Sequence, residues 1–131
     1  SLQKLLQVGE EALELAIVKA RVGNRVGDIS ATIQKHAETN GCSVVREFVG
    51  HWIGRELHEE PQVPNFGSTG QGPALKEGLV LAIETMINSG GPEVQVLDDH
   101  WTAVTADGGY SVHFEHMVAI TRNGPDVLTR L

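Results

Sequence analysis

From Leu79 to Ile87 the chain reads Leu-Val-Leu-Ala-Ile-Glu-Thr-Met-Ile, with polar side chains only at Glu84 and Thr85. A short run this apolar is a strand that other elements must cover, so the fold has to supply a sheet with something packed on it. Period-2 alternation puts Glu84 on one face with Val80, Ala82 and Met86. An ionised carboxylate in such surroundings costs several kcal/mol unless it is paired or coordinated. A salt bridge, a strand-end glutamate reaching water and a metal ligand all satisfy that requirement. Glu115 poses the same question in Val-His-Phe-Glu-His-Met-Val at 112–118, where it faces away from Phe114, His116 and Val118. His113 and His116 flank it and could also be ligands, but one is expected beside the site or in solvent and the other held in the core.

The covering elements come first in the chain. Leu2 to Arg21 is expected to form an amphipathic helix with Leu6, Leu13, Ile17 and Ala20 on one stripe. Gly23-Asn24 breaks it, and Asn24 or Asp28 caps a second helix carrying Val26, Ile29, Ile33 and Ala37, which Asn40-Gly41 stops. Cys42 to Phe48 is a short strand, and Pro61 to Pro73 is loop by composition. Strands are further expected at Val94 to Val96, Trp101 to Thr105 and Tyr110 to Thr121. The Asn123-Gly124 pair signals a hairpin before a last strand over Val127 to Leu131. Two helices followed by an antiparallel meander make an α+β protein, and 131 residues fit a single domain spanning 1–131.

Charge and cysteine content narrow the function. A net charge of −7 with no basic run argues against nucleic acid or an anionic membrane as partner. Cys42 stands alone, which excludes a disulfide framework and a cysteine zinc cluster. No run approaches the length of a membrane span, and Glu10, Glu11 and Glu14 are out of place in a signal peptide. A cytoplasmic location is the expectation.

His51 and His58 lie seven residues apart in Val49 to Asn65, with Gly50 and Gly54 beside them and Pro61 and Pro64 closing the stretch. His58-Glu59-Glu60 is not a zinc-protease helix motif, because Gln62 stands where the second histidine belongs and Pro61 forbids the helix. Glutamates together with neutral imidazole are the ligand set of hydrolytic divalent sites, which favours a metal for His51, Glu84 and Glu115.

The stretch Gly-His-Trp-Ile-Gly-Arg-Glu-Leu-His-Glu-Glu-Pro-Gln-Val-Pro-Asn-Phe-Gly at 50–67 resembles the signature of type I methionine aminopeptidases. Leu75 to Asn88, Asp98 to Asp107 and Ser111 to Thr121 continue the resemblance in order, over essentially the whole chain. It corresponds to the C-terminal half of that family's catalytic domain. The resemblance implies half of a pita-bread fold, in which two pseudo-symmetric α+β halves face each other across a two-metal site, here two helices on a curved antiparallel sheet. It implies His51, Glu84 and Glu115 as metal ligands, with Glu115 bridging and Glu84 also the acid/base. His58 would steady the tetrahedral intermediate as a catalytic, substrate-contacting group, and Trp101 would line the methionine pocket. Trp52, Thr85, Met117 and Val22 depart from the family's usual residues.

The family's two aspartate ligands belong to the other half. Asp98, Asp99, Asp107 and Asp126 do not stand in matching contexts. The expected cofactor is a divalent metal (Co, Mn, Fe or Zn), bound as one ion, as two, or not at all. The expected activity is removal of an N-terminal methionine from peptides once the site is completed by a second half or by self-association into a homodimer. The alternative is an inactive half-domain serving as an interaction module, or a designed or ancestral-type half that homodimerises.

Overall fold

The structure, a computed structural model, describes residues 2–45, 62–89, 94–96, 103–105 and 110–129. Among these residues two helices, α1 (Leu2–Val18) and α2 (Val26–Thr39), precede seven strands. These are β1 (Ser43–Val44), β2 (Gln62–Val63), β3 (Val80–Asn88), β4 (Val94–Val96), β5 (Ala103–Thr105), β6 (Ser111–Thr121) and β7 (Gly124–Val127). The main sheet runs β1-β3-β6-β7, antiparallel throughout, and β2 joins β3 in parallel. β4 and β5 form a separate two-stranded ribbon. The expected α+β architecture of helices on an antiparallel sheet is therefore present. It is not a simple meander, because the ribbon lies between β3 and β6 in sequence while those two strands pair directly.

The alternation of β3 sorts its two faces. Leu81, Ile83, Thr85 and Ile87 are buried, whereas Val80, Ala82, Glu84 and Met86 are half-buried. On the covered face Leu81, Ile83 and Ile87 meet Val112, Val118 and Ile120 of β6 and the seam of α1 formed by Leu5, Val8, Ala12, Leu13, Ala16 and Ile17. Helix and sheet come close together at Gly9, where a Cβ would come within 2.9 Å of the Phe114 ring. Thr85 Oγ1 donates to the Gly9 carbonyl at 3.2 Å, tying the site strand to the helix.

Several local expectations are corrected. Leu6 is 42 % exposed, because the buried seam runs along Leu5, Val8 and Ala12 beside it. α1 ends at Val18 rather than Arg21, its last carbonyls taken by Ala20 N–H, the Arg21 guanidinium and the Asn24 amide. Asn24 thus closes α1 rather than opening α2. The N-cap of α2 is Arg25, and Asp28 three residues on reaches back to its N–H at 2.7 Å. Val26, Ile29, Ile33 and Ala37 are buried as the spacing predicts, and Gly41 at φ +76° follows the Asn40 C-cap. The stretch read as loop from Pro61 holds β2. The last strand is Gly124–Val127 and not 127–131, since Thr121 pairs with Gly124 across a two-residue turn.

Candidate metal centre

β3 and β6 pair with Glu84 directly opposite Glu115. Ladder hydrogen bonds run from Ile120 N–H to Leu79 O at 2.8 Å and from Ser89 N–H to Tyr110 O at 2.9 Å. Counting inward by twos from either end leaves Glu84–Glu115 at a non-hydrogen-bonded position, where facing side chains come closest, with Cα atoms about 4.5 Å apart. Both glutamates lie on the half-exposed face, away from the helices. Like charges directly opposite destabilise a sheet. Such a pair calls for a cation.

His113, two residues before Glu115 on the same face, reaches one of the two carboxylates. Its Nε2 lies 2.7 Å from Glu84 Oε1. Hydrogen bonding to Glu84, together with the negative charges of Glu84 and Glu115, raises the imidazole above its ordinary basicity against the opposing effect of burial. With side-chain exposures of 49 % and 31 %, the pair contributes only about 0–1 kcal/mol to stability. His116, one residue past Glu115, belongs to the opposite face, and its Nδ1 meets the Thr129 hydroxyl at 2.8 Å. The two histidines that the sequence leaves open are thereby separated: His113 is beside the carboxylates and His116 is held by the end of the chain.

The backbone that carries Glu84 is fixed from its other edge. β1 pairs with the end of β3 and β2 with its middle, leaving Met86 between them. There Val45 N–H donates to Met86 O at 2.9 Å and Met86 N–H donates to Asn65 Oδ1 at 3.0 Å. Asn65 is 6 % exposed, so a buried side chain completes the ladder two residues from Glu84. Asn65 lies in the Pro-Asn-Phe-Gly end of the signature stretch, yet nothing in its type announces this role.

His51, His58 and Trp101 lie outside the described residues. Among the described residues no three His, Cys, Asp or Glu side chains form a group that could hold a metal ion. The donors present nevertheless fit one, because two facing carboxylates on an open surface are hard oxygen ligands of the kind divalent cations take. A groove of about 770 Å³ lined by Leu15, Lys19, Asp28, Thr32, Lys35 and His36 lies between the helices, on the far side of the sheet from the glutamates. It has no carboxylate pair and takes no part in the site.

The sequence model of metallopeptidase family M24 matches residues 1–122 of this chain. The chain belongs to metallopeptidase family M24. Among its M24 relatives, the methionine aminopeptidase of Clostridium perfringens is 57 % identical over 127 residues, covering 97 % of this chain and 51 % of the relative. Methionine aminopeptidase 1 of Bacillus subtilis is 50 % identical over 129 residues, covering 98 % and 52 %. The solved structure of methionine aminopeptidase from Thermotoga maritima superposes with a TM-score of 0.90 at 48 % identity, covering 98 % of this chain and 52 % of that one. The pita-bread half-fold expected from the sequence is thus the observed fold. The chain spans about half the length of the curated relatives it matches. Among the described residues no helix is long and apolar enough to cross a membrane.

Proposed function

We propose that these 131 residues carry the glutamate half of a methionyl aminopeptidase site, a single domain corresponding to the C-terminal half of the relatives' catalytic domain. The register of Glu84 against Glu115 supports this most directly, because two carboxylates placed face to face repel each other unless a cation is held between them. Glu84, Glu115 and, from outside the described residues, His51 would hold one or two divalent ions. When bound, such ions supply Lewis acidity toward a scissile carbonyl and make water acidic enough to react near neutral pH. Glu84 would hold and return the proton at the oxygen His113 leaves free, with His58 and Trp101 set to contact the peptide N-terminus.

Val80, Ala82, Met86, Met117 and Ala119 surround the glutamates on the same half-buried face. We propose that the facing half of the fold covers this surface and supplies the remaining ligands. In a solution of this chain alone, the occupant would be a second copy related by a two-fold axis. Light scattering at tens of micromolar should then give a dimer, and a monomer mass would end that part of the proposal.

One observation favours the alternative, an interaction module without catalysis: no three donors converge among the described residues. The deciding experiment replaces the C-terminal half of the Bacillus subtilis relative with this chain and measures release of methionine from a short peptide. Release that requires Co²⁺ or Mn²⁺ and is lost in Glu84→Gln is expected. A folded chimera whose rate is the same in Glu84→Gln would contradict the proposal.

A further inference from the structure

We infer that His113 is a positioning residue that holds the Glu84 carboxylate in place for the metal, an inference that rests on the proposed metal site. A glutamate on an open sheet face has three side-chain torsions to order, and a facing carboxylate pushes it away. His113 opposes both effects. Its Nε2 meets Oε1 of Glu84 at 2.7 Å, and an ionised carboxylate only accepts, so the imidazole N–H is the donor. The ring sits diagonally across the β3–β6 ladder, since His113 pairs with Met86 and Glu84 pairs with Glu115. One oxygen of Glu84 is therefore engaged from the β6 side, and Oε2 makes no hydrogen bond among the described residues. Partners of this kind, which donate to a ligating carboxylate without touching the ion, tune metal sites strongly.

Nor is the contact explained by folding. His113 and Glu84 are both too exposed for the pair to add much stability, and the core lies on the opposite face. His116, one residue past Glu115, is excluded from the role by its bond to Thr129 on that opposite face.

The test is titration calorimetry of the chelator-stripped chain with Mn²⁺, comparing wild type with His113→Leu and His113→Gln, each checked for folding by circular dichroism. His113→Leu should weaken Mn²⁺ binding roughly 10- to 100-fold, the usual effect of losing such a partner. His113→Gln keeps an N–H donor and should recover most of that loss, which a metal-ligating imidazole would not allow. Affinity unchanged in His113→Leu, or no recovery in His113→Gln, would overturn the positioning role while leaving the metal site standing. A folded wild type that binds no Mn²⁺ would overturn the metal site, and the positioning role with it.

Discussion

Glu84 and Glu115 face each other across β3 and β6 at a position where the ladder carries no hydrogen bond, and His113 donates to the first of them. Packing does not require this arrangement. The hydrophobic contacts that fix the two strands lie on the other face, where Leu81, Ile83 and Ile87 meet α1. The glutamates are held in register by a core they do not join, and in the proposed site a cation would relieve their mutual repulsion.

Removing one of the two charges should stabilise the metal-free chain. Glu115→Gln leaves the Glu84–His113 bond in place and abolishes the facing repulsion. A gain of up to about 1 kcal/mol is expected in urea unfolding of the chelated protein. Added metal should then raise the melting temperature of wild type and not of the variant.

Asn65→Ala should destabilise the fold by about 1–3 kcal/mol, because it leaves Met86 N–H buried without its acceptor on the strand that carries Glu84. Amide hydrogen exchange at Met86, far faster in the variant than at Leu81, would locate the loss.

Gly27 presses against the loop at 68–71, and an added Cβ would run into the carbonyl oxygens of Ser68 and Gln71. Backbone cannot step aside as a flexible side chain can. Gly27→Ala should cost about 1–3 kcal/mol despite the better helix propensity of alanine, as read from the denaturant midpoint.

Asp28 receives N–H bonds from Arg25 at 2.7 Å and Gly70 at 2.9 Å, and these hold its carboxyl below the ordinary value of 3.8. A lowered folded-state pKa means the carboxylate's contribution is fully present above the unfolded value. It is lost as pH falls below about 4 toward the folded value. Asp28→Asn should therefore destabilise the chain near neutral pH, and the difference should shrink in acid. A constant difference from pH 2 to pH 7 would show that the charge is irrelevant.

The strand with Glu84, the helix carrying Ile29 and Ile33, and the faces of both glutamates were legible because alternation and helical spacing reflect burial directly. The edges were not. Leu6 fits the apolar stripe of α1 as well as Leu5 does, and only the sheet beneath decides which is buried. β2 is two residues long and exists because β3 offers an open edge, a non-local cause that the Pro- and Gly-rich text around it conceals. The facing of Glu84 and Glu115 depends on register between strands separated by the β4–β5 ribbon, which no local pattern encodes. Alternation along β6 already puts His113 on the face of Glu115 and His116 on the other, and it is the same register that brings His113 within reach of Glu84.

The most direct test is isothermal titration of the chelator-stripped chain with Co²⁺ and Mn²⁺, repeated on Glu84→Gln and Glu115→Gln. Saturable binding by wild type that disappears in both variants is expected. Binding of equal strength in the variants, or no binding by a folded wild type, would contradict a shared cation between Glu84 and Glu115.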